Sequence, residues 1–344
     1  MSDRITWDTS TWANRFTSES THFPGRRSQA PLQPFRRRWT HAVGRPLCAS
    51  SLRTTLICFG LGYSADHYVG QFGDRFARIV GTVRGAERAA LLNARFAGRL
   101  RAFAFDGSFA TPEVKRAIAE ADLALVSIPQ AQDGDPVLAA FGNALTDAKH
   151  LRSVVYLSTV GVYGDHAGAW VDEQTPPRPE MARSRERLAA ERAWQDFGAR
   201  SGVPVAILRL AGIYGPGRNA FVQIARGDAR RIVKPGQVFN RIHVDDIAQA
   251  IDAALTQNAS GIFNVADDEP CSPGDPLVFA AQLLGRAPPP EISFEAAVPA
   301  MSPLALSFWQ DCRRVRNDKL KRDLGVSLRY PTYREGLRAL LAAP

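Results

Sequence analysis

From Thr54 onward, short apolar runs alternate with longer segments whose apolar residues recur at the spacing of a helix. The apolar runs predict strands at Thr54–Phe59, Phe76–Thr82, Arg101–Phe105, Leu123–Ser127, Val154–Ser158 and Val203–Leu210. The segments between them predict helices at Ala65–Phe72, Ala86–Phe96, Pro112–Ala119, Val137–Ala148 and Ser184–Ala199. Strands that alternate with helices are typical of βαβ units, so the pattern predicts an α/β fold whose parallel sheet is covered by helices on both faces.

The pattern changes after Leu210, where the chain breaks into turns and short elements. We therefore predict that residues 53–211 form the main α/β domain and that about 244–265 complete it. Residues 212–344 are predicted to form mainly a smaller C-terminal subdomain, and residues 1–52 a basic N-terminal extension.

The N-terminal extension is rich in Ser, Thr, Arg and Pro and has no sustained hydrophobic period. This composition favours disorder. A targeting segment and an over-extended start of the chain are the alternatives, and four large aromatic residues could dock on another surface: Trp7, Trp12, Phe16 and Trp39. The extension lacks the apolar stretch that a secretory signal needs.

The net charge of +9 is concentrated in the same segment. Residues 1–53 hold nine arginines and three acidic residues, so they account for +6 and leave only +3 for the rest of the chain. The folded part therefore gives no electrostatic reason to expect a nucleic-acid partner. No apolar run is long enough to span a membrane. The four cysteines show no metal-ligand spacing, so we expect no metal site and a reducing, cytoplasmic compartment.

A glycine motif follows the first predicted strand and opens the first helix. Gly60-Leu-Gly62-Tyr-Ser-Ala65 fits the G-x-G-x-x-A pattern in the strand–turn–helix context that dinucleotide binding requires. Gly60 permits a tight turn, Gly62 lets a pyrophosphate approach the backbone, and Ala65 lets the helix pack closely on the sheet. The pattern predicts a Rossmann-type, doubly wound sheet that binds NAD or NADP; a purely structural turn is the alternative.

The end of the second strand bears on the choice between the two cofactors. NAD-binding chains carry an acidic residue there for the ribose 2′-hydroxyl, whereas this chain has Thr82-Val-Arg84. Arg84 could bind a 2′-phosphate by charge-assisted hydrogen bonds, which favours NADP and leaves NAD possible. The alternative is that Arg84 is a solvated residue at the start of a helix.

A second group of motifs lies between residues 155 and 265. Val155-Tyr-Leu-Ser-Thr-Val-Gly-Val-Tyr-Gly164 precedes a helix that contains Glu191, and Leu208-Arg-Leu-Ala-Gly-Ile-Tyr-Gly-Pro-Gly-Arg218 follows it. Asn240-Arg-Ile-His-Val-Asp-Asp246 and Gly261-Ile-Phe-Asn-Val265 come next. These segments resemble the extended short-chain dehydrogenases and nucleotide-sugar epimerases, and most of all their atypical YeeZ-like branch.

The resemblance implies where an active site should lie. In that family a Tyr-x-x-x-Lys opens the helix, four residues before a Glu, and counting back from Glu191 places Arg187 at the lysine and Arg183 at the tyrosine. The resemblance also implies that Thr159 hydrogen-bonds the reacting oxygen and that Asp106 lies near the adenine. For Asp106 the alternative is a turn residue before Gly107.

Arginine keeps the family's spacing but not its chemistry. Its pKa above 12 lets it bind or orient an anion, but it cannot exchange a proton near neutral pH. The alternative for Arg187 is a solvated salt bridge to Glu191, four residues on. His166, in the loop after Gly164, is a candidate replacement acid, with His243 a second choice.

Two hypotheses of function follow. The first is an NADP-dependent oxidoreductase or epimerase that acts on a small polar or sugar-nucleotide-like substrate through Thr159, Arg183, Arg187 and His166. The second is a non-catalytic NADP-binding sensor or scaffold protein. A homodimer is possible by analogy with the fold.

Overall fold

The computed structural model describes residues 54–96, 98–108, 111–227 and 229–342, so the predictions made for residues 1–52 lie outside the described residues. The strands are β1 (Thr55–Phe59), β2 (Arg78–Val83), β3 (Leu100–Ala104), β4 (Leu123–Val126), β5 (Ser153–Thr159), β6 (Trp170–Val171), β7 (Val205–Leu210), β8 (Gly212–Tyr214), β9 (Arg231–Val233), β10 (Arg241–His243), β11 (Gly261–Val265), β12 (Glu291–Ser293) and β13 (Arg314–Val315). The helices are α1 (Tyr63–Phe72), α2 (Ala86–Phe96), α3 (Pro112–Ala119), α4 (Pro136–Thr146), α5 (Ala182–Ser201), α6 (Ala220–Ala225), α7 (Val244–Thr256), α8 (Asp275–Leu283), α9 (Phe294–Ala297), α10 (Pro303–Ser307), α11 (Asp318–Leu324) and α12 (Tyr333–Ala342).

A seven-stranded parallel sheet forms the centre of the fold, in the order β11-β7-β5-β4-β1-β2-β3. Side chains alternate between its two faces: Leu56 and Cys58 of β1 enter one buried cluster, and Ile57 and Phe59 enter the other. A strand buried on both faces needs apolar residues at every position, which is why β1 is a continuous apolar run. The predicted doubly wound α/β fold is confirmed.

The strand order reverses at β1, because β2 lies on one side of it and β4 on the other. In open parallel sheets this reversal leaves a crevice at the carboxyl ends of the strands, where ligands bind. The loops that follow β1, β4 and β5 begin at that edge, and α5 starts near it.

Beyond Leu210 the described chain forms two two-stranded pairs, β8 with β10 and β9 with β12, and a third pair joins β13 to β6, which precedes α5. A third buried cluster lies in this region, around Tyr214, Leu277 and Tyr333. The chain also returns to the main sheet here, because β11 pairs with β7. The position of the domain boundary stays a prediction. In the part of the chain that the structure describes, no helix is long and apolar enough to cross a membrane.

Candidate active site at the carboxyl edge of the sheet

The glycine loop after β1 has the conformation that its motif predicts. Gly60 has φ +92°, and a Cβ there would lie 2.9 Å from Ile128 Cγ1 and 3.1 Å from the Ile128 backbone nitrogen. Gly62 is exposed, and a Cβ there would meet no atom within 4 Å. Ala65 lies in the first turn of α1 and is fully buried. The loop thus leaves open space beside Gly62, where a pyrophosphate can approach the first turn of the helix.

Thr82, at the end of β2, holds this loop in place. Its Oγ1 accepts a hydrogen bond of 3.0 Å from the Gly60 N–H, and its carbonyl accepts one of 2.9 Å from the Leu61 N–H. From the other side, the Ser127 hydroxyl at the end of β4 donates to the Gly60 carbonyl at 2.6 Å. The loop is therefore fixed at the strand reversal.

Arg84 lies just beyond β2 and is exposed. Its guanidinium makes no hydrogen bond or ion pair with any residue that the structure describes, so its donors are available to a ligand. Asp106, beyond β3, is also exposed, and its Oδ1 accepts hydrogen bonds from both the N–H and the hydroxyl of Ser108. These bonds lower the pKa of Asp106. They also form a turn, as the alternative interpretation of Asp106 predicts. The adenine-site role of Asp106 stays a prediction.

Thr159 ends β5 and caps the short 3-10 turn that follows. Its Oγ1 accepts a hydrogen bond of 3.1 Å from the Gly161 N–H. The hydroxyl hydrogen of Thr159 has no acceptor among the described residues, so it can be donated to a substrate oxygen. The Ser184 hydroxyl, at the start of α5, lies near the same point: a Cβ on Gly161 would be 3.4 Å from Thr159 Oγ1 and 3.5 Å from Ser184 Oγ.

Arg187 points from α5 back onto β5. Its Nη1 donates to the Tyr156 hydroxyl at 3.0 Å and to the Leu157 carbonyl at 3.1 Å, and its guanidinium carbon lies 5.7 Å from the centre of the Tyr156 ring. Burial raises the pKa of Tyr156 to about 12, so this phenol stays protonated. Arg187 is a partly buried, locally anchored residue.

Arg183 lies one helical turn earlier and is exposed. Its carbonyl accepts a hydrogen bond of 2.9 Å from the Gln130 side chain, which ties the start of α5 to the loop after β4. Its guanidinium has no partner among the described residues. Partial desolvation and then the positive charge of Arg187 lower the pKa of Arg183. This pair therefore favours an anion beside Arg183.

Glu191 does not form the salt bridge with Arg187 that was the alternative interpretation of Arg187. It is fully buried and pairs with Arg209 of β7, whose Nη2 lies 2.7 Å from Glu191 Oε2. The Ser158 hydroxyl donates to Glu191 Oε1 at 2.5 Å, and the Arg209 guanidinium carbon lies 4.7 Å from the centre of the Tyr163 ring. Spacing along one helix could not reveal this pairing, because it depends on how α5 packs against the sheet.

His166 lies in the loop after Gly164 and is partly buried. The ring nitrogen Nε2 of His166 is 3.2 Å from the Tyr163 carbonyl oxygen, and the backbone N–H of His166 donates to the Cys312 carbonyl at 3.0 Å. A carbonyl can only accept, so Nε2 carries the hydrogen and Nδ1 is the nitrogen that can exchange a proton. The structure gives His166 no contact with Thr159, Arg183 or Arg187, and its catalytic role stays a prediction.

His243 is a different case, since only 2% of its surface is exposed. Its ring centre lies 4.2 Å from that of Tyr330 and 5.1 Å from that of Tyr214, and burial lowers its pKa to about 4. The ring is therefore uncharged near neutral pH, and its role as an acid stays a prediction. It caps α7, because its Nδ1 accepts a hydrogen bond from the Asp245 N–H at 3.1 Å.

The two aspartates in the first turn of α7 are not its cap. Asp246 is buried, and its carboxylate accepts hydrogen bonds from the N–H groups of Arg329 (2.6 Å) and Tyr330 (3.1 Å). It ties the C-terminal segment to α7. Among the residues that the structure describes, no cluster of His, Cys, Asp and Glu could hold a metal ion.

The chain is similar to known proteins along most of the described part. The model of the NAD dependent epimerase/dehydratase family matches residues 138–266. The protein YeeZ of Escherichia coli K12 is 31% identical over 185 residues, which is 50% of this chain and 63% of YeeZ. The 3-diazoavenalumate denitrifying reductase of a Streptomyces species is 29% identical over 187 residues, covering 51% of this chain and 58% of the reductase. The chain thus matches less than two thirds of the length of these relatives.

A solved structure extends the similarity. A conserved protein of unknown function from Silicibacter pomeroyi is 43% identical, and the superposition covers 84% of this chain and 99% of that one with a TM-score of 0.74. The resemblance predicted from the active-site segment is confirmed by these comparisons.

Proposed function

We propose that this chain, which is similar to the NAD-dependent epimerase/dehydratase family and to YeeZ, is an NADP-dependent oxidoreductase or epimerase of a small polar substrate. One observation carries this proposal furthest. The glycine loop and the hydroxyl of Thr159 are open to a ligand, and two arginines of unequal environment lie where the resemblance would place the family's tyrosine and lysine.

The cofactor site fits a dinucleotide. Gly60 and Gly62 leave the first turn of α1 open to a pyrophosphate, and Arg84 offers unpaired donors to a 2′-phosphate. When it is bound, NADPH supplies the hydride. The preference for NADP over NAD is supported by the absence of an acidic residue at the end of β2.

The two arginines have different roles in this proposal. Arg187 is anchored to Tyr156 and Leu157, so it orients the end of β5. The guanidinium donors of Arg183 have no partner among the described residues, so Arg183 binds an anionic group of the substrate, such as a carboxylate. Thr159 donates to the substrate oxygen. Where the reaction requires a proton, Nδ1 of His166 is the proposed source.

A second candidate reaction is a reduction that needs no proton from the protein. The missing tyrosine and the name of the Streptomyces relative favour it. When hydride attacks a diazonium carbon, the new C–H bond takes the hydride pair, and the C–N pair leaves with N₂. Atoms and charge balance without an acid. An aryl diazonium carboxylate would satisfy both Arg183 and this chemistry.

The test is oxidation of NADPH by the full chain, followed through the absorbance of the reduced nicotinamide. The panel contains carbonyl compounds, nucleotide sugars and aryl diazonium carboxylates. Arg183→Ala should raise KM with little change in kcat, because a substituent held equally in ground and transition states is lost. Arg185→Ala, an exposed arginine of the same helix, is the control. Cofactor binding without turnover of any compound would favour the non-catalytic alternative.

A further inference from the structure

A closed turn from the C-terminal part of the chain contacts the glycine loop. Gly215 and Arg218 hydrogen-bond each other through both backbone N–H groups, at 2.9 and 3.0 Å, so the turn between them is tight. Gly217 has φ +72°, a conformation that suits glycine, and Pro216 restricts the turn further. The Asn219 side chain donates to the Gly215 carbonyl at 2.9 Å. The backbone of Arg218 is therefore well fixed.

Tyr63 joins this turn to the start of α1. It is the first residue of the helix, directly after Gly62, and its hydroxyl donates to the Pro216 carbonyl at 3.0 Å. Contact is so close that a Cβ on Gly215 would lie 2.7 Å from the Tyr63 hydroxyl oxygen. The Arg218 guanidinium carbon lies 5.9 Å from the centre of the Tyr63 ring. A positive charge is thus held beside the first turn of α1.

Among the described residues this charge has no salt-bridge partner. Arg218 is exposed, and no carboxylate of the described residues forms an ion pair with it. The start of α1 has unsatisfied donors as well, because Gly62 offers no side chain to cap the first N–H groups of the helix. Tyr63 thus has a guanidinium near its ring and open helix N–H groups at its backbone, and the two together suit one ligand that carries concentrated negative charge.

We propose that Arg218 binds the pyrophosphate of the dinucleotide and that Tyr63 and the turn from Gly215 to Arg218 hold it in position. This assignment rests on the proposed function, because it requires that the chain bind a dinucleotide. It adds a cofactor contact from outside the glycine loop. It also links cofactor binding to the part of the chain after Leu210, which is predicted to form mainly the smaller C-terminal subdomain.

The pyrophosphate and the 2′-phosphate can be told apart by two nucleotides. NADPH and NADH both carry the pyrophosphate, whereas only NADPH carries the 2′-phosphate. Arg218→Ala should therefore weaken both nucleotides by the same factor, about tenfold, as expected for a lost charge-assisted hydrogen bond. Arg84→Ala should weaken NADPH alone. Arg218→Lys keeps the charge and should retain most of the affinity.

The experiment is calorimetric titration of the full chain and these variants with each nucleotide, with thermal unfolding as the check on folding. Arg200→Ala removes an equal charge from the end of α5, at the opposite edge of the sheet from the glycine loop, and should leave both affinities unchanged.

Any of four outcomes would overturn the assignment. Unchanged affinity for both nucleotides in Arg218→Ala would remove Arg218 from the cofactor site, and a rise in the KM of a substrate alone would place it in the substrate site. A loss confined to NADPH would assign it to the 2′-phosphate. If the unaltered chain binds neither nucleotide, the proposed function fails together with this inference.

Discussion

Glu191 and Arg209 form a two-point ion pair in the interior, with Arg209 Nη2 2.7 Å from Glu191 Oε2 and Arg209 Nε 3.1 Å from Glu191 Oε1. The side chains are 1% and 2% exposed respectively. The pair joins α5, which carries the two site arginines, to β7. It therefore fixes the helix register on which the positions of Arg183 and Arg187 depend.

Removal of one member of this pair should destabilise the protein strongly. Glu191→Gln leaves the Arg209 charge buried without a counter-ion, and such a loss costs about 3–5 kcal/mol of the free energy of unfolding. Urea unfolding measures it. The double variant Glu191→Leu with Arg209→Met removes both charges and should recover most of the loss. A cost below about 1 kcal/mol for Glu191→Gln would show that the pair is not buried in solution.

The two site arginines should differ in their effects on stability. Arg187→Ala removes hydrogen bonds to Tyr156 and to the Leu157 carbonyl, so we expect a loss of about 1–3 kcal/mol in the free energy of unfolding. Arg183→Ala removes an exposed side chain without a described partner and should stay within about 0.5 kcal/mol. Denaturant unfolding of the two variants side by side checks this. Equal losses would contradict the division of roles between them.

The glycines of the cofactor loop provide a second matched pair. Gly60→Ala places a Cβ 2.9 Å from Ile128 Cγ1 at a backbone φ of +92°, so it should lower the free energy of unfolding by about 1–3 kcal/mol. Gly62→Ala meets open space and should change it by less than about 1 kcal/mol, yet it should weaken NADPH binding. Thermal unfolding and nucleotide titration together measure both effects. If Gly62→Ala bound NADPH normally, the pyrophosphate would not lie against this residue.

Most helices and strands of the main α/β part could be predicted from the sequence, because they depend on local signals. Helices α2 and α3 begin and end where the pattern places them, and the predicted helix Ser184–Ala199 lies within α5. The glycine loop was predictable for a related reason: Gly60 adopts a backbone angle that few other residues tolerate.

The long-range pairings of the site were not predictable in this way. Spacing along one helix suggests that Glu191 pairs with Arg187. The fold instead brings Arg209 of β7 to Glu191, and the buried ion pair has shorter, better-aligned hydrogen bonds than a solvated pair would. Asp246 lies in the first turn of α7, but its backbone hydrogen-bond partners come from a distant part of the chain. The N–H groups of residues 329 and 330 were available to it only after the C-terminal segment had packed against this helix.

The buried imidazole of His243 should make stability depend on pH in a predictable direction. Burial is the main cause of its lowered pKa; Asp245 raises that pKa, and His67 and Arg329 lower it further. The folded-state value is about 4, against an ordinary value of 6.5. Above pH 6.5 neither state binds the proton. As the pH falls from 6.5 to 4 the unfolded chain binds it and the folded chain does not, so stability is lost across this window.

The size of this loss follows from the same two values. This difference in the pKa of His243 corresponds to a loss of about 3 kcal/mol in the free energy of unfolding between pH 7 and pH 4. Asp246, whose pKa burial raises to about 6, acts in the opposite direction because the folded state then binds the proton more tightly. His243→Asn keeps a side-chain acceptor for the α7 cap but does not titrate, and Asp246 is present in both proteins, so its contribution cancels in the comparison. The free energy of unfolding of the unaltered chain should fall relative to His243→Asn as the pH drops from 7 to 4, measured by urea unfolding at each pH. A constant difference across that range would mean that His243 titrates at its ordinary pKa and that its ring is accessible to water.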